Sequence, residues 1–241
     1  MSMPSEPITV DPIVRRLARG AALEPVWVNQ LGGATFRTDD DRYIKFGPRN
    51  AETSFAAEAE RLAWAREFTP VPVVQEVGGD DEREWMVTAA LHGRSAVDPR
   101  WLADPASAVR AIGEGLRALH EALPVRECPF DWSVRRRVAN AAERGIRVSE
   151  ELRTSPAIDA LVVCHGDACA PNTLLGADGR WSGHVDLGAL GVADRWADIA
   201  VAAMSTEWNY GAGWQDALVI AYGLEPDRER MAYYQALWNA T

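Results

Sequence analysis

The residues best suited to chemistry lie in the run Val162-Val163-Cys164-His165-Gly166-Asp167-Ala168-Cys169-Ala170-Pro171-Asn172. It reads as an apolar strand entering a loop that carries an aspartate and, five positions later, an asparagine. Fourteen residues after Asn172, a second apolar strand ends in Val185-Asp186-Leu187-Gly188. A base-like carboxylate, an amide and a second carboxylate are the groups that magnesium-dependent phosphoryl transfer needs. Asp167 can take the proton of an attacking hydroxyl. Asn172 and Asp186 offer hard oxygen ligands to a metal ion bridging nucleotide phosphates.

The elements that must position these groups are readable in outline. Residues 11–20 predict a short helix with Ile13, Val14 and Leu17 on one face. Residues 26–30 read as a strand, Gly32-Gly33-Ala34 as a turn before Thr35-Phe36-Arg37, and Thr38-Asp39-Asp40-Asp41 as a polar hairpin loop. In the strand 43–46, Lys45 faces inward between aromatic and apolar neighbours, and Gly47-Pro48 ends it. A helix is expected over 54–68, and strands over 71–77 and 85–90 joined by a Gly-Gly-Asp-Asp turn. Beyond Gly93 the pattern becomes helical. Asp104 caps a helix opened by Pro105, with Val109, Ile112, Leu116 and Leu119 in period. Further helices are expected over 130–145, 198–204, 214–222 and 226–238, with a polar connection at 148–160. The fold class is therefore α+β: a strand-rich part with one packed helix, then a mainly helical part with a small strand pair around Asp167 and Asp186, and a cleft between the two.

Composition excludes several classes. The chain has 241 residues, 47% hydrophobic and 25% charged, as in ordinary globular proteins. The net charge of -10 argues against nucleic-acid or anionic-membrane binding and is compatible with a cationic small-molecule partner. No apolar run reaches membrane-span length, and the N-terminal residues lack the basic and apolar regions of a secretory signal. Cys128, Cys164 and Cys169 have no paired CxxC spacing, so a reduced, cytoplasmic setting is expected, and no fourth ligand completes a zinc site around His165.

HGDACAPN at 165–172, SGHVDLGALGVADRWADIA at 182–200, YGLEPDRERMAYY at 222–234 and CPFD at 128–131 together resemble the aminoglycoside O-phosphotransferases. Members of that family share a bilobal protein-kinase-like fold. The resemblance implies a nucleotide-binding lobe at 1–90, a catalytic and acceptor-binding lobe at 91–241, and the use of ATP and Mg2+. It implies that Asp167 is the catalytic carboxylate and that Asn172 and Asp186 hold magnesium. Lys45 would contact the α- and β-phosphates, directed by Glu58, with Glu60 as the competing partner. Gly32, Gly33, Ala34 and Thr35 would form the loop over the nucleotide, although neither GxGxxG nor a P-loop pattern is present. Thr88, Ala89 and Ala90 would form the hinge beside adenine. Asp198 and His165 would brace the catalytic loop, and His120 would be partly buried and hydrogen-bonded.

The acceptor side departs from the 3′-phosphotransferases. Only 33 residues separate Asp131 from His165, with Glu150, Glu151 and Asp159 among the carboxylates of that region, and Met204-Ser205 stands where the kanamycin and neomycin enzymes carry Arg-Asp. VVCHGD, VDLGALG and EPDRERMAYY lean toward the streptomycin 3″-phosphotransferases, in which Glu207 matches an acidic position. Glu207 and Asp159 are accordingly the expected acceptor contacts. The expectation is an ATP-dependent kinase of an aminoglycoside hydroxyl, at a streptomycin-like 3″ or kanamycin-like 3′ position, that confers antibiotic resistance. The alternatives are a kinase of the same fold acting on another small alcohol, and a non-catalytic nucleotide-binding protein.

Overall fold

Residues 9–29, 31–50 and 54–241 are described by the computed structural model. They form an α+β chain of two units, Met1–Arg66 with Pro72–Leu91, and Glu67–Val71 with His92–Thr241. The first contains α1 (Pro12–Ala18), β1 (Leu23–Val28), β2 (Ala34–Thr38), β3 (Arg42–Pro48), α2 (Phe55–Ala65), β4 (Val74–Gly79) and β5 (Arg83–Ala89). The strands form one antiparallel sheet in the order β1-β2-β3-β5-β4.

Period-two alternation sorts the side chains of this sheet. Phe36, Ile44 and Val87 pair across β2, β3 and β5 and bury one face against Val14, Leu17 and Ala18 of α1. Asp11 caps α1 by accepting from the Ile13 N–H, and the buried Arg42 donates to the carbonyls of Leu17 and Ala18 at its other end. The opposite face carries Lys45, flanked in register by Thr35 and Met86. On α2, Ser54 caps the first turn, and the buried Glu84 of β5 accepts from the Phe55 N–H, which ties the start of this helix to the sheet.

The second unit runs β6 (Arg94–Ser95), α3 (Pro99–Leu102), α4 (Pro105–Ala122), α5 (Val134–Glu143), α6 (Glu150–Arg153), β7 (Leu161–Cys164), a 3₁₀ turn (Ala170–Asn172), β8 (Thr173–Leu175), β9 (Trp181–His184), β10 (Gly191–Asp194), α7 (Trp196–Tyr210), α8 (Gln215–Tyr222) and α9 (Arg228–Ala240). β7 pairs with β10, and β6, β8 and β9 make a three-stranded sheet. Val109, Ile112, Leu116 and Leu119 of α4 are all buried, each side chain contributing about 1.5–3 kcal/mol. Gly113 has a packing reason: a Cβ there would lie 2.7 Å from the Leu218 carbonyl of α8.

The differences from the sequence reading are local. α7 extends from Trp196 to Tyr210 rather than over 198–204: it runs on past the apolar stretch through Ser205, Thr206 and Glu207 until Gly211 turns the chain at φ 88. β6, α3, α6 and β10 are two to four residues long, too short for a period to show. No helix among the described residues is long and apolar enough to cross a membrane.

Candidate active site

The loop after β7 is held from behind by one buried carboxylate. Asp198, in the first turn of α7, accepts from the His165 N–H at 2.5 Å and the Gly166 N–H at 2.9 Å, and its Oδ2 meets His120 Nε2 at 3.0 Å. Burial alone would raise the Asp198 carboxyl, but the His120 hydrogen bond and the donors around it hold it below the ordinary carboxylate value. His165 is fully buried. Its Nε2 donates to the Val185 carbonyl at 3.0 Å and its Nδ1 accepts from the Asp167 N–H at 3.2 Å, a tautomer fixed by these two partners. His165 is thus a brace and not a base. Gly166 has φ 85, and a Cβ there would meet the Ala189 carbonyl oxygen at 2.2 Å, so this position admits no side chain.

Within this frame, Asp167 and Asn172 are joined. Asn172 Nδ2 donates to the Asp167 carbonyl at 2.9 Å and to Asp167 Oδ2 at 3.0 Å. Asp167 Oδ1 is buried without a protein hydrogen-bond partner. Burial, and after it the negative charge of Asp186, push the Asp167 carboxyl above the ordinary carboxylate value. A carboxylate with one oxygen anchored, one unpartnered and a raised pKa is suited to receive a proton.

The Val185 N–H donates to the Asn172 carbonyl at 3.0 Å, which sets Asp186 beside Asn172 where β8 and β9 diverge. Asp186 has a left-handed backbone, φ 66, a conformation costing a side chain about 1–2 kcal/mol. With its Nδ2 turned to Asp167, Asn172 presents its amide oxygen to the other side. An amide oxygen and a carboxylate are hard donors, the type that suits magnesium. A second cluster of possible ligands, His120, Cys164 and Asp198, is buried. Its carboxylate and imidazole atoms are already engaged in the brace, so it makes no metal centre.

In the first unit, Lys45 Nζ donates to both oxygens of Glu58, at 2.7 and 2.9 Å. Glu58 is buried and Glu60 is exposed, which decides between the two partners. Gly32 and Gly33 lie in the connection from β1 to β2, whereas Ala34 and Thr35 already belong to β2. Gly32 takes φ 83, and the Asn29 side chain accepts from the N–H groups of Leu31 and Gly33. A Cβ on Gly33 would strike Asn29, and one on Gly47 would lie 2.9 Å from the Gly33 Cα. Thr88 is buried in β5, opposite Tyr43. The Ala89 and Ala90 N–H groups donate to the carbonyls of Val73 and Asp41, so neither is open to a base placed there.

The two acceptor residues have different fates. Asp159 is held by Arg195, 2.6 Å away, and by the Trp196 indole N–H at 2.9 Å. Slight burial opposes these bonds, but they leave its carboxyl below the ordinary value. The expected acceptor contact Asp159 is thus an exposed carboxylate paired with a cation of its own unit. Glu207 is half-buried near the end of α7.

Two contributors escaped the sequence reading. Ser205 Oγ accepts from the Ala170 N–H at 2.9 Å, and Ser95 Oγ donates to the Pro171 carbonyl at 2.8 Å. Both hold the segment between Asp167 and Asn172. A serine directly after the apolar run Ile199-Ala200-Val201-Ala202-Ala203-Met204 is the available signal for the first. For the second there was none.

A clamped carboxylate loop, an amide and carboxylate pair behind it, and a strand lysine paired with a helix glutamate are the components of a phosphotransferase. Residues 27–234 match the phosphotransferase enzyme family, and the chain belongs to it. An aminoglycoside 3′-phosphotransferase of Streptomyces fradiae is 38% identical over 88% of this chain and 89% of its own. A streptomycin 3″-kinase of Streptomyces griseus is 32% identical over 87% and 88%. Among solved structures, an aminoglycoside phosphotransferase, APH(3″)-Id, of Streptomyces rimosus in complex with ADP and streptomycin superposes with a TM-score of 0.71 at 27% identity, over 96% of this chain and 99% of that one.

Proposed function

We propose that this protein transfers the γ-phosphoryl group of ATP to a 3′ or 3″ hydroxyl of an aminoglycoside and so confers resistance to that antibiotic. The observation that carries the reading is Asp167: anchored through Oδ2, unpartnered at Oδ1 and raised in pKa. It lies in a chain 38% identical to an aminoglycoside 3′-phosphotransferase.

In this reading Lys45, aimed by Glu58, neutralises the nucleotide phosphates. Asn172 and Asp186 would hold magnesium, which would supply positive charge to offset the charge of the nucleotide phosphates. Asp167 Oδ1 accepts the proton of the acceptor hydroxyl as the new O–P bond forms and the bond from the γ-phosphorus to the β-bridging oxygen breaks, releasing ADP and the phosphate ester. The Asp198 clamp keeps the loop fixed during transfer, so no reorganisation is required at that moment. Glu207 and the net charge of -10 favour a polycationic acceptor.

Expression in a susceptible bacterium tests the reading. The inhibitory concentration of at least one aminoglycoside should rise, and the rise should vanish in Asp167→Asn. An unchanged inhibitory concentration across streptomycin, kanamycin and neomycin would contradict it.

A further inference from the structure

We infer that Tyr222 is a positioning residue for the catalytic loop: its phenolic O–H fixes the tautomer of His120 and, through it, the grip of Asp198 on the backbone of His165 and Gly166. The kinetic consequence rests on the phosphotransferase reading above; the tautomer does not.

Three elements distant in sequence form one line of hydrogen bonds. Tyr222 closes α8, and its hydroxyl lies 2.8 Å from His120 Nδ1 of α4. His120 Nε2 lies 3.0 Å from Asp198 Oδ2 of α7, and Asp198 accepts from the two N–H groups preceding Asp167. Tyr222, His120 and Asp198 are all buried, so these bonds are made in surroundings of low polarity, where each counts for more than in water.

The direction of the protons follows from chemistry. A carboxylate only accepts, so His120 Nε2 must carry a hydrogen. We take the imidazole as neutral: Nδ1 is then bare and takes a donor, and the Tyr222 hydroxyl is the group placed there. Burial raises the Tyr222 phenol above its ordinary value, which keeps that donor protonated. In the opposite tautomer, the lone pair of Nε2 would face the lone pairs of Asp198. The close approach of α4 and α8 at Gly113 is what lets the hydroxyl reach the ring. Gly223, φ 101, ends α8 immediately after Tyr222 and fixes where that reach begins.

Tyr222→Phe keeps the ring and removes only the donor. Nitrogen-15 spectra of histidine-labelled wild type should show His120 neutral with its proton on Nε2, and Tyr222→Phe should shift this signal toward the other forms. In the same variant, kcat for phosphoryl transfer should fall about tenfold with the KM for ATP unchanged. Ile220→Ala, an exposed position on the same helix, should alter neither reading. A wild-type His120 protonated on Nδ1 alone or on both nitrogens would overturn the inference, as would a Tyr222→Phe enzyme with wild-type kcat. If Tyr222→Phe fails to fold, the wild-type spectrum still decides. If wild type phosphorylates no aminoglycoside, the proposed function falls while the spectrum continues to test the relay.

Discussion

The two halves of the candidate residue set, one in each unit, are held in different ways. In the first unit the candidate phosphate-binding cation is directed by the ion pair of Lys45 on β3 with Glu58 on α2. In the second, the functional carboxylate sits in a loop whose backbone is gripped at four places: Asp198 at His165 and Gly166, Ser205 at Ala170, and Ser95 at Pro171. A lysine that neutralises phosphates needs a direction, and a strand plus a helix supply it. A base needs its oxygen placed to within a fraction of an ångström, and a loop achieves this only when its N–H and C=O groups are individually bonded. The first half should therefore yield gradually to mutation, and the second abruptly.

The largest effect should come from the reacting oxygen. Asp167→Asn keeps the contact with Asn172 and removes the proton acceptor; kcat should fall by about 10²–10⁴, with nucleotide binding retained by calorimetry. Next is the brace. Asp198→Ala strands two backbone N–H groups and His120, and denaturant unfolding should show a loss of about 3–5 kcal/mol along with activity. Glu58→Gln tests the weaker construction. The KM for ATP should rise roughly tenfold, with a smaller change in kcat and near-normal stability. An Asp198→Ala variant of normal stability, or a Glu58→Gln variant that unfolds, would invert the comparison.

The smallest effect concerns pH and separates the two carboxylates of the second unit. The Asp198 pKa is lowered on folding, so its stabilisation is present above the unfolded value and is lost as pH falls through the folded one. The Asp167 pKa is raised, so its contribution is full below the unfolded value and is lost as pH rises through the folded one. At neutral pH the ionised Asp167 is thus a cost. Metal-free Asp167→Asn should melt a few degrees above wild type near neutrality, and the difference should close in acid. Over the same range, kcat/KM should fall as acid protonates Asp167.

How much of this was legible in the sequence followed the same division. The Lys45–Glu58 pair could be read because a strand and a helix have periods, and burial alone distinguishes Glu58 from Glu60. Asp167, Asn172 and Asp186 were legible as residue types at a spacing, and the resemblance in HGDACAPN and VDLG named their family. The grips on the loop were not. Ser95 reaches Pro171 across 76 positions and Tyr222 reaches His120 across 102, distances over which no local pattern carries information. Asp159 shows the converse case. As a carboxylate in a shortened region it invited a role with a cationic acceptor, but Arg195 and Trp196, adjacent in sequence to the brace, claim it. The glycine turn was readable as a turn, whereas Asn29, which organises it, gave no sign beyond its type.

The account stands most directly on the acceptor. Purified protein with ATP and Mg2+ should be offered streptomycin, kanamycin, choline and a macrolide in parallel, and each product weighed by mass spectrometry. The account predicts a gain of one phosphate on an aminoglycoside and none on the others. A phosphate gained by choline or the macrolide with every aminoglycoside unmodified would contradict it.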